Sequence, residues 1–142
     1  MKKFTSIFAI VMVYLICALS FTGCNIGLDG KYKTVEAYLA DPIVKASMKE
    51  SMDTGAEDME IEILGTENQL IYQYTFEETY DDATTQILKS SFESQVDSLE
   101  PTMVDVADSL KDVVSADNLC VVLKYLNGDG TVIFEHTFNA TK

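Results

Sequence analysis

The sequence predicts an α+β domain in which two helix-hairpin units, αββ each, form a mostly antiparallel four-stranded sheet with helices packed on one face. Three observations carry that expectation. The apolar period switches from near 3.6 to two, and does so twice along the chain. Two helical stretches open on an acid followed by proline, Asp41-Pro42 and Glu100-Pro101, 59 residues apart. Finally, Ile71-Tyr72-Gln73-Tyr74-Thr75-Phe76 lines up with Ile133-Phe134-Glu135-His136-Thr137-Phe138 at an offset of 62, and Ile61 and Ile63 meet Leu123 and Tyr125 at that same offset. Self-similarity at a fixed spacing reads as an internal repeat. Helix and hairpin each carry one apolar stripe, so the two must cover each other.

The first unit spans about residues 34–77. Thr34 can cap a short turn through Val35, Tyr38 and Leu39. Asp41-Pro42 then starts a helix, because an acid at the cap accepts from free amides and proline at the first position gives up a donor that had no partner. Ile43, Val44, Ser47, Met48 and Met52 supply its stripe, and Gly55 is expected to end it. A hairpin follows: Met59, Ile61 and Ile63 alternate with Glu60 and Glu62, and Leu70, Tyr72, Tyr74 and Phe76 alternate with Ile71, Gln73 and Thr75.

An extra helix is expected over about 82–99, through Ile87, Leu88, Phe92, Val96 and Leu99, broken by Pro101. The second unit, about 100–139, begins with a helix carrying Met103, Val106, Ala107, Leu110 and Val114. Its hairpin places Leu119, Val121, Leu123 and Tyr125 on one side, turns at Asn127-Gly128-Asp129-Gly130, and returns through Val132, Phe134, His136 and Phe138.

Ahead of this domain, Met1-Lys2-Lys3 and the apolar run from Phe4 to Leu19 form a signal-peptide pattern. The run ends in Ser20-Phe21-Thr22-Gly23-Cys24, and Thr22-Gly23-Cys24 resembles the lipobox of bacterial lipoproteins, with Phe21 where that family prefers Leu, Val or Ile. The resemblance implies cleavage after residue 23, a diacylglycerol thioether on Cys24, and residence on the outer face of the cell membrane. Residues 1–23 are then a signal peptide, 24–33 a lipidated tether, and 34–142 one domain. Cys17 leaves with the signal and Cys24 carries lipid, so Cys120 has no partner for an internal disulfide. It reads as a small buried hydrophobe.

Charge excludes some functions. All 23 acids and eight lysines follow the cut, there is no arginine, and the mature charge is −15. Nucleic acid would be repelled, as would anionic head groups and wall polymers, so the lipid is what holds the protein at the membrane. The acidic excess suits solubility outside the cell.

Constellations for chemistry are sparse. His136 is the only histidine, and neither Cys120 nor any serine sits in a nucleophile motif. One histidine and one free cysteine do not make a zinc set, and Asn127-Gly128-Asp129-Gly130 lacks the alternating acids and closing glutamate of a calcium loop. Glu77, Glu78, Asp81 and Asp82 cluster before a helix, where capping explains them and cation binding or carboxylate chemistry with His136 is the alternative. No catalytic residue, metal ligand or cofactor is assigned.

The alternate face of the strands is the candidate binding surface. It carries Ile71, Val122 and Ile133 among Glu60, Glu62, Gln73, Lys124, Glu135 and Thr137, more apolar than a solvated face requires. The layout resembles small exported αββ-repeat modules such as the β-lactamase-inhibitor-like folds, and the mature chain, with its Ile-Tyr-x-Tyr-x-Phe strand, is similar to uncharacterised small lipoproteins of Gram-positive Firmicutes. That resemblance implies a fold and a location and brings no activity. The expected function is a non-enzymatic, monomeric binding or interaction module, tethered by Cys24, for an envelope protein or a small ligand. A carboxylate-based hydrolase or a cation-binding envelope protein is the alternative.

Overall fold

The computed structural model of the protein describes residues 32–52 and 58–142. The expected signal peptide, Cys24 and the Gly55 helix stop lie outside those residues. Four helices and four strands follow in the order α1 (Val35–Ala40), α2 (Pro42–Met52), β1 (Met59–Gly65), β2 (Gln69–Phe76), α3 (Asp82–Glu93), α4 (Val96–Val113), β3 (Cys120–Leu126) and β4 (Val132–Asn139).

The capping chemistry places the first two helices. Thr34 Oγ1 accepts from the Ala37 amide at 3.0 Å and opens α1. Asp41 closes it in an extended conformation, φ −62 and ψ 127, as a residue before proline prefers. The same Asp41 opens α2, its Oδ1 accepting from the Ile43 amide at 2.8 Å. Tyr32, expected in the tether, is part of the domain: its amide donates to Val113 O, its carbonyl accepts from the Ser115 amide, both at 2.8 Å, and its hydroxyl donates to Asp41 Oδ2 at 2.6 Å.

Pro101 does not break a helix. It lies inside α4, where it removes only the donor that would have met the Asp97 carbonyl. Its ring is exposed, while Leu99, Met103, Ala107 and Leu110 run past it buried on the core side. That packing outweighs the local penalty. The chain breaks earlier, at Ser94-Gln95, where the Gln95 amide turns back to Phe92 O at 3.0 Å. The extra helix is therefore shorter than expected at its C-terminal end and α4 begins ahead of the acid-Pro pair.

The sheet order is β1-β2-β3-β4, antiparallel within each hairpin and parallel between β2 and β3. It is a mixed sheet, which corrects the expectation of a mostly antiparallel one. After Phe76 the chain passes through α3 and α4 before β3 begins, and this crossover brings it back to the end of the sheet where β2 began, with Cys120 beside Gln69. Strands joined that way run parallel.

The two hairpins nevertheless share a register. Met59 faces Phe76 and Val121 faces Phe138, Ile61 faces Tyr74 and Leu123 faces His136, Ile63 faces Tyr72 and Tyr125 faces Phe134. Each second pair is the first displaced by 62 positions. The agreement ends at one point. Leu64 faces Ile71, but Leu126 faces Val132, so Ile133 is an extra residue in β4, a bulge.

One core fills the space between sheet and helices. Val35, Leu39, Val44, Met48, Leu88, Phe92, Leu99, Met103, Ala107 and Leu110 from the helices join Leu70, Tyr72, Tyr74, Phe76, Val121, Leu123, Tyr125, Phe134 and Phe138 from the strands. Aromatic stacking marks its centre: Phe92 lies on Tyr125 with ring centroids 4.1 Å apart, and Tyr125 on Tyr74 at 4.9 Å. Burial holds the Tyr72, Tyr74 and Tyr125 phenols far above their ordinary pKa, so they act as neutral packing groups.

Candidate binding face

The strand register arranges the outer side of the sheet into transverse rows. Glu62, Gln73, Lys124 and Glu135 stand side by side across all four strands. Gln73 Nε2 donates to Glu62 Oε2 at 2.9 Å, and Lys124 Nζ pairs with Glu135 Oε2 at 3.4 Å. The next row is Leu64, Ile71, Val122 and Thr137. Its exposure grades outward, from Val122 buried and Ile71 half-buried at the centre to Leu64 at 40% on the β1 edge. An apolar strip thus lies beside a zipped polar row.

No described helix covers this strip. Every buried helix side chain belongs to the core on the other face, and among the described buried apolar residues only Cys120 and Val122 stand outside that core. Cys120 sits one step along from Val122 on the same side, its Sγ 3.8 Å from Asn68 O, and burial pushes its thiol pKa up. It is inert packing.

Five of the six candidate face residues, Ile71, Gln73, Val122, Lys124 and Glu135, share this surface. Ile133 does not. The bulge turns it by one position, so it is buried in the main core with Phe134 and Phe138. Alternation alone places Ile133 outside, and nothing in its sequence neighbourhood announces the extra residue. Leu64, in contrast, was open to reading: continuing Glu60, Glu62 by one more step reaches it.

Residues 35–138 match the family described as a domain of unknown function, DUF4854. The chain belongs to that family. No curated protein and no solved structure matches it. The DUF4854 match runs from the first core residue, Val35, to the last, Phe138, so the packed unit and the family unit coincide.

The other places in this DUF4854 domain where sequence suggested chemistry are apart from one another. Asp81 caps α3, its Oδ1 accepting from the Thr84 amide at 2.8 Å, and those bonds to Thr84 hold its carboxyl below the usual range. Glu77 and Glu78 lie exposed in the loop before it. His136 faces Leu123 and shares the Tyr72 row, two strands across and five residues along from Glu77. Strand spacing makes that separation roughly 19 Å. Glu77, Asp81 and His136 therefore form no common site. His136 is half-buried between Phe134 and Phe138, its ring 4.7 Å from the latter. Among the described residues no group of three His, Cys, Asp or Glu side chains could hold a metal ion.

Asn127, expected only as a turn residue, has a second role. It is the one buried polar residue among those described, at 4% exposure. Its Oδ1 accepts from the Tyr80 amide at 2.8 Å and its Nδ2 donates to Tyr80 O at 2.9 Å, so one amide clamps the β3–β4 turn to the loop before α3. Gly128 permits the approach: a Cβ there would fall 2.8 Å from the Glu78 carbonyl. Asp129 is occupied by Thr131, whose amide and hydroxyl donate to it at 3.0 and 2.6 Å. This loop is a structural turn with its carboxylate already used.

Two shallow grooves flank the sheet edges. At the β4 edge, Lys89, Glu93, Val96 and Asp97 face Val132 to His136 across about 570 Å³. At the β1 edge, Glu36, Leu39, Ala40, Lys45, Met48 and Lys49 face Ile63, Leu64 and Gly65 across about 600 Å³, with a more apolar lining. No helix among the described residues is long and apolar enough to cross a membrane.

Proposed function

We propose that this protein is a lipid-anchored, extracytoplasmic binding module, held by Cys24 at the outer face of a bacterial membrane and presenting the open side of its sheet to a partner. The observation that supports the reading is the strip Leu64, Ile71 and Val122, uncovered by any described helix and bordered by the Glu62-Gln73-Lys124-Glu135 row. An apolar centre with a polar rim is the composition of a recognition patch. Carboxylate hydrolysis and cation binding have less support, because the acidic side chains that suggested them cap α3 or lie far from His136.

The test combines anchor and face. Cys24→Ser should abolish lipid labelling and cleavage before that residue; continued processing there, with partition into detergent, would reject the anchor. Affinity capture from detergent-solubilised envelope should retain a species with the wild-type domain that is lost with Ile71→Lys or Thr137→Lys, at half-buried and exposed positions that tolerate the change. Asp81→Asn with Asp82→Asn should leave it bound. Loss with the acidic pair and indifference to the face would transfer the assignment to the α3 loop.

A further inference from the structure

The two edges of the sheet differ. Beside β1 the chain has supplied its own neighbour: the Val35 and Glu36 amides donate to the Glu67 and Thr66 carbonyls at 3.1 and 3.0 Å and seat the start of α1 at the end of that strand. Beside β4 the described residues supply none. The Ala140 amide donates to Leu119 O at 3.0 Å, which sets the ladder, so that Phe134, His136 and Phe138 exchange their bonds with β3 while Glu135 and Thr137 turn amide and carbonyl away from the sheet. Among the described residues no other backbone group meets them. The groove of about 570 Å³ runs along the same edge. Its opposite wall is the α3–α4 elbow, where the turn at Ser94-Gln95 brings Glu93, the last residue of α3, and Asp97, in the first turn of α4, into one lining. Val96 and Val132 add apolar surface, the latter 54% exposed. Glu135 is paired with Lys124, but among the described residues Glu93 and Asp97 have no ion-pair partner, and Lys89 is the single lysine of the lining.

From this geometry we infer that the β4 edge takes up an extended cationic segment of a partner protein as a fifth strand. Two features select that occupant. Amides and carbonyls left open along a strand bond to another extended backbone. A lining of three acids against one lysine then suits lysine or arginine at alternate positions, with stems over Val96 and Val132 and heads at Glu93 and Asp97. A second copy of this chain is a poor occupant, since 23 acids against ten lysines repel another such molecule. The edge is distinct from the Leu64-Ile71-Val122 strip and requires no lipid on Cys24, so it stands or falls separately from the function proposed above.

The probe is a heptapeptide of alternating threonine and lysine, blocked at both ends and added to the full chain in a non-ionic detergent. It should bind with a Kd below about 1 mM. At saturation, hydrogen exchange of the Glu135 and Thr137 amides should slow about ten-fold, with that of Ile61 and Ile63 unchanged. The same peptide with glutamate for lysine should not bind. N-methylation separates an added strand from a mere counter-ion: methylating one alternate set of peptide amides should abolish binding and methylating the other should spare it, because only one set faces β4. Glu93→Gln with Asp97→Asn, both at exposed positions, should weaken binding about five-fold. Absence of binding, equal binding of the two methylated peptides, slowed exchange at Ile61 and Ile63 in place of Glu135 and Thr137, or indifference to the double variant would each overturn the inference.

Discussion

The bulge in β4 makes a sharp forecast, because it decides which of two adjacent residues belongs to the core. Ile133 is 7% exposed and Val132 is 54% exposed. Had the second hairpin kept the register of the first, Leu126 would face Ile133 as Leu64 faces Ile71, and Val132 would point inward with Phe134. The perturbation is alanine at each position. Ile133→Ala removes three buried carbon groups, about 2.4 kcal/mol of transfer free energy at ~0.8 kcal/mol each. An incompletely collapsed cavity raises this to about 3 kcal/mol. Val132→Ala, on the exposed side, should cost less than about 0.5 kcal/mol. For a domain of this size the first corresponds to a Tm lower by about 12 °C and the second to a change of about 2 °C or less. Urea and thermal unfolding of the protein freed of residues 1–24, followed by far-ultraviolet circular dichroism, would give both values. A larger loss at Val132 than at Ile133 would refute the bulge and return Ile133 to the outer face.

Two other changes probe the loops. Asn127→Ala deletes both bonds to the Tyr80 backbone and leaves part-buried groups unpaired, so a loss of about 2 to 3 kcal/mol is expected; Asn127→Asp keeps the acceptor but sets a carboxylate oxygen against the Tyr80 carbonyl in a buried site, and should cost at least as much. Equal stability of all three in urea melts would dismiss the clamp. The Asp81 carboxyl is held below its ordinary pKa by Thr84, so its contribution to stability is present above the unfolded-state value near 4 and is lost as pH falls through the lower folded-state value. Asp81→Asn should therefore flatten the acid limb of a stability-against-pH curve in that window while leaving the curve's shape above pH 6 unchanged. An acid limb identical to the wild type would show that the cap does not titrate with folding.

Local signals in the chain were sufficient for most elements. Thr34 and Asp41-Pro42 mark the first two helices because a cap is a contact between residues two or three apart, and Asp81 marks α3 for the same reason. Alternation in Met59–Ile63 and Leu70–Phe76 assigned the core side of the first hairpin, since the period of two is a property of the strand itself. The offset of 62 likewise matched residues that share pairing positions. By itself the sequence also supports the expectation of export and of a lipid on Cys24, for such a signal is a short linear pattern.

Tertiary structure decided what depends on distant neighbours. Parallel pairing of β2 with β3 follows from where the α3–α4 crossover returns the chain, which no strand pattern contains. Pro101 continues α4 because Leu99, Met103 and Ala107 find a sheet to pack on, a gain that local propensity does not include. Asn127 is indistinguishable from an ordinary turn residue until Tyr80, 47 positions away, closes over it. The binding strip itself was half legible. Alternation placed Ile71 and Val122 on one side, but the extra residue in β4 moved Ile133 to the other, and a bulge is fixed by the fit of two strands rather than by either one alone.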